Sequence, residues 1–212
     1  VYVRVPKTGS TSFESQLIED VDSTDDIRHS AIPFCRIQAK NHVGPAHMNK
    51  AHITPDEIYQ FLNIDITGYD IYAVLRHPVD KFLSRVCHLE YFTPEDNKDT
   101  TKPGPILDKN AVVEKYLNTF NEHTFNSPDT LHWWPQSRWL EFQSRPISNI
   151  FLYENISDMM KKLTGNATLR YNHRSLARVD KTYEDLDASL QDHIIKLYQS
   201  DYDLYNSLKN KS

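Results

Sequence analysis

Eight consecutive residues near the start of the chain, Pro6-Lys7-Thr8-Gly9-Ser10-Thr11-Ser12-Phe13, gather a cation, a glycine and four hydroxyls. They follow a strand-like run, Val1 to Val5, and lead into a helical periodicity, Thr11 to Val21, through Phe13, Leu17 and Ile18. A strand, a short glycine-containing turn and a helix N-terminus make an anion site, because backbone N–H groups converge there and the helix dipole favours negative charge. Lys7 adds a point charge, and Ser10, Thr11 and Ser12 add hydroxyl donors. The chemistry that follows is phosphate binding. The order is not G-x-x-x-x-G-K-[ST], in which the lysine follows the glycines, since Lys7 precedes Gly9. The plain alternative is an ordinary strand–helix turn capped by Thr8 or Ser10.

A second concentration of chemistry lies at Leu75-Arg76-His77-Pro78, with Ser84 eight residues beyond Arg76. An arginine at a strand end offers a planar fork of donors to a phosphate. Ser84, two turns into the following helix, can turn its hydroxyl back towards the strand tip. Taken singly, Arg76 reads as a surface ion-pair residue and Ser84 as a solvated helix residue. Three histidines, His42, His47 and His52, recur every five residues. That is not the spacing of a helical zinc site such as H-E-x-x-H, so zinc is discounted. An imidazole titrating near about 6.5 does suit proton abstraction close to neutral pH. His132, Trp133 and Trp134 offer faces that could stack on a sugar or on adenine, and core packing is expected for at least one of the two indoles.

These residues need a scaffold. Strand candidates are Val1 to Val5, Phe34 to Lys40, Asp70 to Leu75 and Asn149 to Tyr153. Helix candidates follow them: one opened by Thr54-Pro55-Asp56-Glu57 and running to about Leu62, one from Pro78 to about Tyr91 with Val79, Phe82, Leu83 and Val86 on one face, Ala111 to Asn121, and about Ile156 to Leu163. Tyr183 to Ser207 reads as helix with a break near Asp201. Alternating strands and helices imply an α/β domain with a central parallel sheet covered on both faces, a three-layer α/β/α arrangement. Such sheets bind ligands at the carboxyl ends of their strands, where the Lys7 turn and Arg76 fall. Residues 1–212 read as a single domain, with Thr93 to Asn110, rich in Pro, Lys, Asp and Thr, as a flexible loop and candidate acceptor lid.

Composition narrows the classes. The 212 residues carry a net charge of −5, so there is no basic footprint for nucleic acid. No apolar run is long enough to span a membrane. The two cysteines, Cys35 and Cys87, give neither a metal spacing nor a disulfide framework, and read as partly buried thiols with a bridge left open. The chain opens at Val1, as expected of a trimmed or mature fragment, and its sequons at Asn155 and Asn166 are weak evidence for secretion.

The run Pro6 to Phe13 resembles the 5′-phosphosulfate loop of the sulfotransferases that use 3′-phosphoadenosine 5′-phosphosulfate (PAPS), especially their carbohydrate, Golgi-type branch. The spacing of Arg76 and Ser84 resembles the pair that holds the nucleotide 3′-phosphate in that family. Leu131 to Gln136, Ile150 to Ile156, Asn172-His173-Arg174-Ser175 and Tyr183 to Tyr205 are similar to its later segments, so the resemblance covers nearly the whole chain. It departs in being short for the branch and in lacking an Arg-Lys-Gly run near Arg174. The resemblance implies a P-loop-like sulfotransferase fold and in-line transfer of a sulfuryl group from PAPS to an acceptor hydroxyl, a glycan being favoured, with no metal required. Lys7 would stabilise the leaving 5′-phosphate, and Thr8, Gly9, Ser10, Thr11, Ser12, Arg76, Ser84 and Arg174 would bind the nucleotide. Asn41-His42-Val43 resembles the segment that supplies the base in uronyl 2-O-sulfotransferases, which makes His42 the general base, with His47, His52 and Glu14 as rivals. His47, His132 and Trp133 are candidate acceptor contacts. Competing classes are a non-catalytic glycan- or nucleotide-binding protein on the same fold, and a Mg²⁺-dependent kinase. Oligomeric state stays open, and the compartment would be cytoplasmic for a microbial or viral enzyme and the Golgi lumen for a trimmed eukaryotic one.

Overall fold

A computed structural model describes residues 1–9, 13, 52–61, 65–91, 108–121, 123–165 and 186–211. In chain order its helices and strands are α1 (Pro55–Phe61), β1 (Tyr72–Leu75), α2 (Pro78–Tyr91), α3 (Lys109–Leu117), β2 (Glu141–Phe142), β3 (Arg145–Pro146), β4 (Asn149–Leu152), α4 (Ile156–Thr164), α5 (Ala188–Leu197) and α6 (Gln199–Lys209). The start of α1 is the reciprocal cap that its sequence implies. Glu57 N–H donates to Thr54 Oγ1 at 3.2 Å, and Thr54 N–H donates to Glu57 Oε2 at 2.8 Å. Pro78 likewise opens α2, where its missing N–H costs nothing.

β1 and β4 pair in parallel, Tyr72 opposite Asn149 through to Leu75 opposite Leu152. The first residues of the chain run beside β1 in the same direction. Tyr72 N–H donates to Val1 O at 2.7 Å, and Val3 N–H donates to Tyr72 O at 2.8 Å. The expected strand Val1 to Val5 is therefore a single bridge at Tyr2. It stops early because Val5 N–H turns back onto Val3 O at 3.1 Å, just ahead of Pro6. Alternation along β1 sends Ala73 and Leu75 to one cluster, with Val3, Val5, Leu152, Trp134 and Trp139. Val74 goes to another, with Phe13, Ile156, Met159 and Met160. Apolar packing thus covers the parallel sheet on both faces. The predicted stripe of α2, Val79, Phe82, Leu83 and Val86, packs against Val113 and Leu117 of α3 and Ile194 of α5.

Three boundaries differ from the sequence reading. The helix expected over Ala111 to Asn121 is shifted towards the N-terminus, because the Asp108 carboxylate caps it by accepting from Asn110 N–H at 3.0 Å and Ala111 N–H at 3.2 Å. The break expected near Asp201 is at Tyr198, whose φ of −118° and ψ of 38° leave the helix while its buried hydroxyl donates to Trp133 O at 2.6 Å. A small hairpin, β2–β3, was not expected at all. Its turn residues, Gln143 and Ser144, take φ of 51° and 58° without a glycine or asparagine to announce them. The predicted strand Phe34 to Lys40, the helix Thr11 to Val21 except Phe13, residues 93–107 of the predicted loop and Cys35 lie outside the described residues, and the loop's last two residues, Lys109 and Asn110, open α3. Cys87 is buried on α2. Among the described residues no helix is long and apolar enough to cross a membrane.

Candidate functional site

Parallel direction decides where the chemistry meets. The first segment, β1 and β4 all run the same way, so the Pro6–Gly9 turn, Arg76 and Tyr153 emerge at one end of the sheet. The turn is closed by Thr8, whose buried hydroxyl donates to Val5 O at 3.0 Å. Lys7 takes φ of 64° and Gly9 φ of 73°. A left-handed lysine is uncommon, and backbone strain of this kind clusters at functional turns. Gly9 is required for a second reason. A Cβ there would lie 2.9 Å from Tyr153 Cε2. Gly9 O accepts from Phe13 N–H at 3.2 Å, the first helical bond beyond the turn.

Arg76 reaches across to the same turn. Its Nη1 donates to Lys7 O at 3.4 Å, and its guanidinium carbon lies 4.6 Å from the centre of the Tyr153 ring. The Tyr153 ring thus touches both Gly9 and Arg76. Arg76 Nε is buried and makes no hydrogen bond among the described residues. The backbone of Arg76 is held separately. Arg76 N–H donates to Gln136 Oε1 at 3.0 Å, and Gln136 Nε2 donates to Arg76 O at 2.8 Å. Asp201 accepts from Gln136 N–H at 2.7 Å and from Ser137 N–H at 2.9 Å. Lys81 completes this buried layer, its ammonium donating to Trp134 O.

Helix α2 brings further cations. Ser84 is buried on it, one turn before His88 on the same helix face. His88 is pushed down to about 4, first by burial and then by the charges of Lys7 and Arg85. His52 and His132 meet edge to face, with ring centres 5.0 Å apart. His52 Nδ1 lies 2.8 Å from Arg4 O, so it donates, and the tautomer leaves Nε2 as the lone-pair nitrogen. Burial pushes His52 down to about 4, a push that the Arg4 carbonyl opposes and the Arg4 and Lys7 charges add to. Burial, with the charges of His52, Arg85, Lys7 and His88, takes His132 to about 2. Lys7, Arg85, His52, His88 and His132 therefore form one electrostatically linked group, with His52 and His132 in ring contact. At neutral pH its imidazoles are uncharged bases and its lysine and arginine are cations. Such a group can bind a polyanion and accept a proton beside it.

The other anticipated residues divide. Trp133 packs against Phe82, Tyr116 and Phe120 with ring centres 5.1–5.8 Å apart, and the Arg85 guanidinium carbon lies 5.7 Å from its ring centre. Trp134 is buried as well, with Trp139 and the Arg138 guanidinium against it. Core packing thus accounts for both indoles. Ser10, Thr11, Ser12, Glu14, His42, His47 and Arg174 lie outside the described residues. Tyr153, Arg85, His88 and Asp201 were not singled out as site residues from the sequence. Position is the sequence signal for three of them: Arg85 is next to Ser84, His88 is one turn beyond it, and Tyr153 follows a strand end, whereas Asp201, inside α6, carries none.

The chain matches the family model for the Sulfotransferase family over residues 1–206 and belongs to that family, whose chemistry is sulfuryl transfer. No curated protein and no solved structure matches it.

Proposed function

We propose that this protein transfers a sulfuryl group from PAPS to a hydroxyl of an acceptor, a carbohydrate being the class the sequence resemblance favours, on a single three-layer α/β/α domain. The observation that supports it most is the meeting of the Lys7 turn and Arg76 at one end of the parallel sheet. In this reading the 5′-phosphosulfate lies on the turn and Arg76, with Ser84, takes the 3′-phosphate. The acceptor oxygen attacks sulfur in line, the bond from sulfur to the phosphate oxygen breaks, and the leaving phosphate is neutralised by Lys7 and the N–H groups of the turn. The acceptor proton passes to a histidine.

Thermal unfolding in EDTA with 3′-phosphoadenosine 5′-phosphate (PAP) tests the nucleotide half. Ligand at a hundred times its Kd adds about 2.7 kcal/mol, which raises Tm by roughly 5–10 °C in a domain of this size. The rise is expected with PAP, much smaller with AMP at the same concentration, and lost in Arg76→Ala. No rise with PAP, or an equal rise in Arg76→Ala, would overturn the assignment and favour a binding protein that has kept only the fold.

Two histidines compete for the proton. The resemblance assigns His42. His52 is favoured by a separate observation: its tautomer is fixed by Arg4 O, and it stands beside Lys7. If His52 is the base, His52→Ala abolishes turnover while the PAP-induced rise in Tm survives, His42→Ala does not, and the acid limb of kcat/KM falls near pH 4. The opposite pattern, with turnover lost in His42→Ala and kept in His52→Ala, returns the role to His42.

A further inference from the structure

Arg76 is the first residue past the end of β1, so no ladder partner remains for its backbone. Two residues later comes Pro78, which has no N–H to offer. A side chain fills the gap. The Gln136 amide gives Arg76 one acceptor and one donor, at 3.0 and 2.8 Å, as a neighbouring strand would. That amide is itself anchored. Gln136 N–H donates to Asp201 Oδ2 at 2.7 Å, Gln136 Nε2 lies 3.4 Å from the same oxygen, and Asp201 Oδ1 accepts from Ser137 N–H at 2.9 Å. Gln136 and Asp201 are both fully buried, at 0% exposure. A packing residue at position 136 would need none of the side-chain amide bonds, since an apolar side chain of equal length fills the same volume.

We infer that Gln136, anchored by Asp201, is a positioning residue: it fixes the main chain at Arg76 and thereby the direction in which the guanidinium is presented to the nucleotide. The inference rests on Arg76 being the 3′-phosphate ligand. A small rotation at the Arg76 Cα is magnified at the tip of so long a side chain. Loss of the clamp therefore affects recognition of the 3′-phosphate more than recognition of the rest of the nucleotide.

The test is titration calorimetry of wild type and Gln136→Met with PAP and with AMP, which lacks the 3′-phosphate. Methionine keeps the length and removes both bonds. Affinity for PAP is expected to fall about tenfold or more, with affinity for AMP unchanged, so that the preference for PAP shrinks. Gln136→Leu likewise removes both bonds and keeps an apolar side chain of similar volume. It should give the same shift in the ratio, and it serves if the methionine variant does not fold. A folded variant in which both affinities fall together, or neither falls, overturns the positioning role while the nucleotide reading stands. Wild type that binds PAP no better than AMP overturns the nucleotide reading and this inference with it.

Discussion

Lys7→Ala is expected to lower kcat by about 10²–10³-fold, the usual loss when one preorganised stabiliser of transition-state charge is removed. The apo protein should unfold at nearly the same temperature. Lysine and alanine bear the same left-handed strain at φ 64°, and the Thr8 hydroxyl bond and the main-chain bonds at the turn survive the substitution. Lys7→Arg should rescue little, because a planar fork cannot replace a compact charge at the leaving oxygen. A second readout is independent of turnover. The Lys7 charge helps to hold His52, His88 and His132 below their ordinary values. Its removal favours their protonated forms, so NMR titration should find all three moved upward. A fall in kcat of less than tenfold would show that Lys7 is not the group that neutralises the leaving phosphate.

The largest loss of stability is expected at Asp201. Its carboxylate accepts two backbone N–H groups, from Gln136 and Ser137, and faces Lys81 in the interior. Lys81 is buried, its ammonium donates to Trp134 O and lies 4.9 Å from the centre of the Tyr198 ring, and burial lowers it to about 8 against the pull of Asp201. Asp201→Ala removes the charge that pulls against the burial of Lys81 and strands two donors, the buried Gln136 N–H and the half-buried Ser137 N–H. A donor left unsatisfied inside costs about 1–3 kcal/mol, so a loss of about 2–5 kcal/mol is expected. Lys81→Met in the same chain should recover part of the loss, since the uncompensated charge goes with it. Urea unfolding of the two single variants and the double variant measures this. A cost below about 1 kcal/mol for Asp201→Ala, or no recovery in the double variant, would mean that the carboxylate is not the partner of Lys81.

What the sequence disclosed and what it withheld divide along a physical line. Local rules were legible. Thr54, Pro55 and Glu57 state a helix start outright, Asp70 to Leu75 contains its strand, and Pro78 to Tyr91 is the observed helix. The Lys7–Gly9 turn and Arg76 could be named because each occupies a strand end in a pattern that implies parallel strands. Contacts over long separations were not legible. Gln136 and Asp201 are 65 residues apart, and Gln136 and Arg76 are 60 apart. Nothing in the composition of either segment states that they meet. Lys81 stands between Asp80 and Phe82 like any helix surface residue, and only the fold shows that α6 covers it. The break at Tyr198 follows from a hydroxyl that reaches Trp133 O, a tertiary preference that overrides helix propensity.

The clamp on Arg76 also has a consequence for the order of events during synthesis. The strand end, the glutamine that holds it and the aspartate that holds the glutamine leave a ribosome in that order, and Asp201 comes last. A nascent chain that has already released the Lys7 turn, β1 and β4 still lacks the anchor for Gln136. Until α6 has emerged and docked, the glutamine that bonds the Arg76 main chain has no anchor of its own. Domains that depend on such late, distant contacts close slowly and as a unit. A chain truncated before α6 therefore lacks the carboxylate that anchors Gln136, and should be unable to hold Arg76 in place.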